Sequence, residues 1–450
     1  MDAEAFAEVD SWLDRFQRRY RVPGLALVVS DAAGTRHQRL SGLADRTGHR
    51  PLDAAQRWQI GSISKAFTAI AVLQLQRAGR LLVDDRLVDH LPWAEHLSPD
   101  VTLHHLLSHT AGLPSGSEWA PDSLLESVSQ GAVGDPQPPG ERYYYSNPGY
   151  ELLGDVVEAV TGRPLERYLQ ENVLAPLGMT GASASVVAED RDSDVRGHLP
   201  PFDDRLFTGG DEQVPEPWYP LCTADGAITA TPVDLGHYLR FLLRGQAPGV
   251  VEASDFAALA ARAVDTTDDG WYGYGLRTAE VNGRALLGHS GAMIAFFADV
   301  VVDRDAGLGC AVVANGWAPV GDANAAVLAR LTPGLHTPLP NLDAQAWPDP
   351  IVDDAAGPDE LRPMVGLYRA YNPWLPAIRV VRRDGGLAMA DPVRAEITRL
   401  VAASETSFWV EHHASPDRID FDTMVGETYL ELWLSGCRYA RVRRDPAGGL

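Results

Sequence analysis

Residues 60–68 read Ile60-Gly61-Ser62-Ile63-Ser64-Lys65-Ala66-Phe67-Thr68. From Phe67 onward, apolar residues repeat with the period of a helix until Gly79 ends the segment. A helix that begins at Ser62 places residues i and i+3 on one face, which brings the Lys65 amine beside the Ser62 hydroxyl. The free N–H groups and the positive dipole end of such a terminus also favour a nearby oxyanion.

Lys65 is the only lysine in the sequence, against 37 arginines. A GC-rich coding bias explains the excess of arginine, but it does not explain why one lysine persists. A guanidinium keeps its proton in proteins, whereas a buried ammonium can lose it and act as a base. Serine is a weak nucleophile that needs an adjacent base, so Ser62 and Lys65 are a candidate nucleophile and base. The alternative, a serine at a helix start with an incidental lysine, stays open on the spacing alone.

A second motif is Tyr145-Ser146-Asn147, the only Tyr-x-Asn among the 14 tyrosines. It follows a turn at Gly140 and precedes Pro148-Gly149, so we expect it on a loop before the next helix. A phenol near a neutral lysine can relay protons to a leaving group, and an Asn amide can hold a substrate carbonyl or orient the lysine. The alternative interpretation is an aromatic cluster that closes the loop.

The third motif is His289-Ser290-Gly291. We expect it to end a short strand at 284–287, with another strand opening near Ile294. A small residue such as Gly291 lets a substrate backbone lie along the strand edge, and the N–H of Ala292 could complete an oxyanion hole with that of Ser62. His289 has an alternative role as a structural residue that satisfies a hydrogen bond.

Taken in this order, the three motifs resemble the serine β-lactamase and penicillin-binding-protein superfamily, which carries Ser-x-x-Lys, Tyr-x-Asn and Lys/His-x-Gly. The segments Leu106-Leu107-Ser108-His109-Thr110-Ala111-Gly112-Leu113 and Tyr145-Ser146-Asn147-Pro148-Gly149-Tyr150 look like its class C-type, D-peptidase and esterase branch. The resemblance covers about residues 5–335. It implies acylation of Ser62, with Lys65 and Tyr145 sharing the acid and base steps and with Asn147 and His289 holding substrate.

The third motif departs from class C β-lactamases, which carry lysine where this chain has His289. That pattern is closer to D-aminopeptidases, DD-peptidases and related acyltransferases. It therefore argues against antibiotic resistance as the native role. The segment from Gly366 through Trp374 looks like the lipocalin-like barrel appended to several members. These include the penicillin-binding-protein-type thioesterases, which release and cyclise nonribosomal peptides by joining a D-configured C-terminal residue to an L-configured N-terminus.

The pattern along the chain predicts an α+β fold. An N-terminal helix around Phe6–Phe16 precedes an antiparallel hairpin, a mostly α-helical insertion covers about 80–220, and short strands return at 271–315. We therefore expect an antiparallel sheet flanked by helices at 1–338. A Pro- and Asp-rich linker at 339–360 and a small antiparallel β-barrel at 361–450 complete the predicted organisation.

Composition limits the partners. The net charge of −23 would repel a phosphate backbone or an anionic bilayer, which argues against nucleic-acid and membrane partners. Three dispersed cysteines and the lack of a visible signal peptide predict a cytoplasmic protein.

No cofactor is expected. His105 and His109, four residues apart, could bind a metal from one helix face, but His109 lies in a segment that the resemblance makes structural, so no metal is expected.

The favoured function is thus a serine hydrolase or acyltransferase of the thioesterase and peptide-cyclase type. Its substrate is a peptide-like molecule, which a carrier protein could present as a thioester. A D-aminopeptidase, DD-peptidase or esterase of the same superfamily is the alternative. A non-catalytic ligand-binding protein on this scaffold, with the barrel as its ligand module, is the more distant one.

Overall fold

The computed structural model describes the chain except residues 1–2, 97–98, 114–137, 204, 206, 208–210, 267–269, 282, 333–337, 348–350, 373, 393–395, 412–416, 435–436 and 443–450. Parts of the predicted insertion, linker and barrel domain therefore lie outside the described residues.

A nine-stranded antiparallel sheet forms the centre of the first domain. The strands up to residue 314 are β1 (Gly24–Asp31), β2 (Thr35–Asp45), β3 (Arg50–Pro51), β4 (Trp58–Gln59), β5 (His198–Leu199), β6 (Val214–Pro215), β7 (Thr229–Ala230), β8 (Val264–Asp265), β9 (Gly270–Tyr272), β10 (Arg277–Val281), β11 (Arg284–Met293), β12 (Phe296–Asp303) and β13 (Leu308–Ala314). The order across the sheet is β3-β2-β1-β13-β12-β11-β10-β9-β8. Two small sheets, β4-β7 and β5-β6, lie beside it.

Helices cover both faces of this sheet. Those of the described residues are α1 (Ala3–Tyr20), α2 (Lys65–Arg77), α3 (Leu87–His90), α4 (Leu103–Leu107), α5 (Asn147–Thr161), α6 (Leu165–Leu169), α7 (Pro232–Arg244), α8 (Ala253–Leu259) and α9 (Val320–Leu331). On β1, Leu25 and Leu27 belong to the core with α1 and α9, while Ala26 and Val28 belong to the core with α2 and α7. This alternation follows from the two-residue period of a strand and buries both faces.

The second domain is a closed barrel. Its strands are β14 (Gly366–Arg369), β15 (Ala377–Arg383), β16 (Gly386–Asp391), β17 (Glu396–Ala402), β18 (Ser407–Val410), β19 (Arg418–Val425), β20 (Thr428–Leu434) and β21 (Cys437–Arg441), and β14 pairs with both β15 and β21. Buried apolar side chains such as Tyr368 and Phe421 form its core. The predicted fold class, an α+β domain followed by a small antiparallel barrel, is confirmed.

The segment between the domains is anchored at its start. Leu342 is buried in the core formed with α1, and the indole Nε1 of Trp12 donates to the carbonyl of Pro340 at 2.8 Å. The barrel contacts the first domain through the Arg369–Asp203 ion pair and through Trp374, which packs against the core around α2. Burial, with the nearby barrel carboxylates of Glu411 and Asp417, raises the pKa of Tyr144, so this side of the barrel lies near the Tyr-x-Asn loop.

Candidate active site

Ser62 lies in a 3-10 turn, Gly61–Ser64, that leads directly into α2 at Lys65. The predicted helix is therefore present, with a tighter first turn. The Lys65 side chain is fully buried, and its Nζ lies 3.0 Å from the Ser62 Oγ. The i and i+3 placement thus brings the amine to the hydroxyl, as expected for a nucleophile and its base.

Two further groups hold the Lys65 amine. Its Nζ donates to the side-chain oxygen of Asn147 at 2.8 Å and to the backbone carbonyl of Asp225 at 3.1 Å. Asn147 is the first residue of α5, and Ser146 caps that helix by accepting from the Gly149 N–H at 3.2 Å. The Tyr-x-Asn motif therefore meets the Ser-x-x-Lys motif at the junction of two helix starts.

Tyr145 lies on the loop before α5, as expected. The Lys65 Nζ is 4.9 Å from the centre of its ring. Its hydroxyl oxygen is buried, and among the residues that the structure describes it has no hydrogen-bond partner. A buried donor without a partner costs about 1–3 kcal/mol, so this hydroxyl is ready to bind a reacting group.

His109 supports Tyr145 rather than a metal. It lies beyond the end of α4 with φ of +58°, so it does not share a helix face with His105 as the metal alternative required. Its Nδ1 accepts from the Ser146 N–H at 3.0 Å, and its ring packs against the Tyr145 ring with the centres 4.3 Å apart and the planes tilted by 37°. Complete burial, with the nearby Lys65 cation and His289, lowers its pKa well below the usual value, so it stays neutral.

The third motif lies inside β11, which runs unbroken from Arg284 to Met293. The expectation that the motif ends one strand and precedes another is wrong, because hydrogen bonds to β12 continue through Gly291 and Ala292. A Cβ on Gly291 would lie 1.9 Å from the Ile60 carbonyl oxygen, so close packing against the nucleophile turn itself requires this glycine. A Cβ on Gly61 would lie 2.6 Å from the backbone nitrogen of Ala292. The Ala292 N–H is therefore beside the nucleophile turn, Gly61–Ser64, which carries Ser62.

His289 is buried and neutral. Its Nδ1–H donates to the Ser290 carbonyl, and its Nε2 accepts from the Tyr272 hydroxyl at 3.0 Å. Burial, reinforced by the Lys65 and Arg277 cations, lowers its pKa to about 4 against the Ser290 hydrogen bond. At neutral pH this side chain therefore adds hydrogen bonding but no positive charge.

A pair of carboxyl groups that sequence reasoning missed lies behind Lys65. The Asp225 carboxylate is 3.6 Å from the Nζ, and Glu151, on the second turn of α5, hydrogen-bonds to Asp225. Burial and the adjacent Asp225 charge raise the pKa of Glu151 well above its usual value. Burial is the largest influence on Asp225 and opposes its ionisation, but the Lys65 cation and the hydrogen bonds from Glu151 and Thr223 together outweigh it and lower that pKa. The pair therefore holds one proton, on Glu151, and one negative charge, on Asp225.

The arrangement can perform acyl transfer. It contains a hydroxyl beside an amine, a phenol that has no partner among the described residues, and the backbone N–H of Ala292 beside the turn that carries the hydroxyl. In the described part of the chain, no group of three His, Cys, Asp or Glu side chains is placed to hold a metal ion. In the same part, no helix is long and apolar enough to cross a membrane.

Residues 9–332 match the family described as Beta-lactamase. Penicillin-binding protein 4 of Amycolatopsis lactamdurans is 29% identical over 331 residues, which are 68% of this chain and 84% of that protein. Protein flp of Staphylococcus aureus (strain COL) is 24% identical over 351 residues, and the match spans 74% of this chain and 66% of flp.

The two-domain build is also found in a solved structure, that of the octameric penicillin-binding protein homologue from Pyrococcus abyssi. It is similar over 98% of this chain and 100% of its own, with a TM-score of 0.64 and 22% identity. The chain therefore belongs to the β-lactamase family, within the superfamily of serine hydrolases that also contains the penicillin-binding proteins.

Proposed function

We propose that this protein is a thioesterase of the penicillin-binding-protein type, which takes a peptidyl group from a thioester onto Ser62 and releases it as a cyclic peptide. The observation that carries this proposal is the 3.0 Å contact between the Ser62 Oγ and the Lys65 Nζ beside the unpartnered Tyr145 hydroxyl. The substrate would be a nonribosomal peptide with a D-configured C-terminal residue, presented by a carrier protein.

In the first step, unprotonated Lys65 accepts the Ser62 proton while the Oγ attacks the thioester carbonyl. The N–H groups of Ser62 and Ala292 stabilise the oxyanion of the tetrahedral intermediate. The C–S bond then breaks, and the leaving sulfur takes the proton through the Tyr145 hydroxyl, which Lys65 reprotonates. The products of this half-reaction are a free thiol and an acyl ester on Ser62.

In the second step, the amine at the N-terminus of the same peptide attacks the ester. Its proton passes through Tyr145 and Lys65 to the Ser62 oxygen as the ester bond breaks. Atoms and charges balance without a cofactor, and the enzyme returns to its starting state. If water attacks instead, the product is the linear acid.

His289 alone does not distinguish a thioester from the substrate of a DD-peptidase, because the Arg277 cation on the neighbouring strand β10 is close enough to lower the pKa of His289. Both substrate classes would acylate Ser62, and they differ in the product that is released.

The test is a peptidyl thioester mimic with a D-configured C-terminal residue and a free N-terminal amine, incubated with enzyme and analysed by mass spectrometry. We expect the cyclic product, which has lost one water relative to the linear acid. The linear acid alone would identify a D-peptidase or esterase-like hydrolase. Failure to acylate with any activated ester would favour the non-catalytic ligand-binding alternative.

A further inference from the structure

The catalytic groups define two sides of the cleft. Tyr145 and His289, whose rings lie 6.0 Å apart, stand where the leaving group receives its proton. The strand β11 runs from His289 past Ala292 to Met293. Because the acyl chain leaves the reacting carbonyl on the side opposite the leaving group, it must extend toward the Met293 end of this strand.

Two cavities lie beyond the Met293 end of β11, since the residues directly after Met293, Ile294–Phe296, line the first of them. The segments 223–226 and 291–293 approach each other beside the nucleophile turn, with a Cβ on Gly226 only 3.1 Å from the Met293 sulfur. Their continuations, 216–219 and 294–296, line a narrow cleft that shares Pro217 and Trp218 with a wider cavity of about 420 Å³. The other lining residues of the wider cavity are Ala188, Arg191, Arg196 and Pro220.

The aromatic wall of this cavity is fixed. The indole Nε1 of Trp218 donates to the Val187 carbonyl at 2.9 Å, which sets the orientation of the ring. Pro217 and Pro220 flank it and restrict the backbone on both sides. A rigid apolar face of this kind binds an acyl chain at little cost in conformational entropy.

The two arginines supply positive charge in a chain with a net charge of −23. Their ion pairs are long, 3.8 Å from Arg196 to Asp45 and 3.4 Å from Arg191 to Asp192. The neighbouring carboxylates of Asp190 and Asp194 instead bind Arg57, at 2.6 and 3.0 Å. The Nε of Arg196 also donates to the Glu216 carbonyl at 3.4 Å, which leaves its Nη atoms and those of Arg191 to bind a ligand. A guanidinium group matches a carboxylate with two parallel hydrogen bonds.

We propose that this cavity binds the distal part of the acyl chain and selects chains that carry a carboxylate there, through Arg191 and Arg196, against the face of Trp218. The inference rests on the proposed function, since it assumes an acyl group on Ser62. It names the substrate class as an anionic peptidyl chain. The carboxylate would be a side chain of the peptide, because the C-terminal carbonyl is the reacting group.

The test compares aryl thioesters of D-alanine that carry an N-succinyl or an N-succinamoyl group. The two groups differ only by a carboxylate against an amide. Zero, one or two glycines between the acyl group and D-alanine vary its distance from Ser62. We expect kcat/KM of the wild type to favour succinyl by at least about 10-fold at one of these lengths, as a charge-assisted hydrogen bond predicts. Arg191→Gln and Arg196→Gln should each reduce that ratio.

Arg262→Gln is the matched control, since Arg262 is an exposed arginine next to β8 at the far edge of the sheet. It should leave the ratio and the activity unchanged. Equal rates for both acyl groups at every length in the wild type would overturn the inference, and so would a preference that persists in both arginine variants. Labelling of wild-type Ser62 by a small fluorophosphonate separates this failure from failure of the proposed function, because labelling does not depend on the acyl cavity.

Discussion

The Nζ of Lys65 lies 3.6 Å from the carboxylate of Asp225, which is itself hydrogen-bonded to Glu151. With Lys65 charged, Asp225 ionised and Glu151 protonated, the three side chains have no net charge. The ionised Asp225 carboxylate therefore balances the buried amine beside Ser62, and the proton on Glu151 keeps a second negative charge out of the site.

Lys65→Arg keeps the positive charge but removes the ability to accept a proton. We expect kcat for an activated ester to fall by at least about 100-fold, the usual contribution of a positioned base. The measurement is ester hydrolysis, with circular dichroism to confirm folding. Arg36→Lys, at an exposed position on β2, should have no effect. Near-normal turnover in Lys65→Arg would refute a proton-transfer role for this amine.

Glu151→Gln should change how stability depends on pH. Because the pKa of Glu151 is raised on folding, the native state binds a proton that the unfolded state has lost above about pH 4.3. This group therefore lowers the stability of the wild type as pH rises above that value. Glutamine does not titrate, so Tm of the variant relative to wild type should be higher at pH 8 than at pH 5. A Tm difference that is independent of pH would show that Glu151 is ionised in the folded protein.

Tyr145→Phe removes the free hydroxyl while retaining the ring that packs on His109. We expect kcat/KM to fall by about 100-fold for substrates whose leaving group needs a proton, such as alkyl thioesters. The loss should be much smaller for a nitrophenyl ester, because nitrophenolate leaves without protonation. Equal losses for both substrates would indicate that Tyr145 acts in binding or packing and not as the acid.

Gly291→Ala tests the contact between β11 and the nucleophile turn. The added Cβ would lie 1.9 Å from the Ile60 carbonyl oxygen, so the turn must move. We expect a loss of about 1–3 kcal/mol in the free energy of unfolding, as for other overpacked sites, together with slower acylation of Ser62. Gly34→Ala is the control, because its Cβ would meet nothing within 4 Å. Normal acylation in Gly291→Ala would mean that the turn does not position the nucleophile.

Local spacing explains what the sequence could predict. Ser62 and Lys65 are one helical turn apart, and Asn147 begins a helix that Ser146 caps, so the register of each motif follows from backbone geometry. The barrel was likewise predictable, because its strands are short β-type runs at close spacing. The strand β14, Gly366–Arg369, is harder to recognise, since it has only four residues and no clear alternation of buried and exposed side chains.

Contacts that depend on the tertiary fold were not predictable. Glu151 reads as an ordinary polar position on a helix, and nothing in the chain relates it to Asp225, 74 residues later. The glycines of β11 suggested an interrupted strand. In the structure they are sites of close backbone approach, since a Cβ on Gly288 would lie 1.9 Å from the Val300 carbonyl oxygen. From sequence alone, a glycine inside a strand can mark either an interruption of the strand or the close approach of another backbone segment.

The most direct test of the central claim, that Ser62 is the nucleophile, is intact mass spectrometry after reaction with a fluorophosphonate, followed by peptide mapping. We predict a single adduct on Ser62, formed by the wild type and absent from Ser62→Ala. A label on another residue, or a label that persists in Ser62→Ala, would contradict the assignment of this serine and of the mechanism built on it.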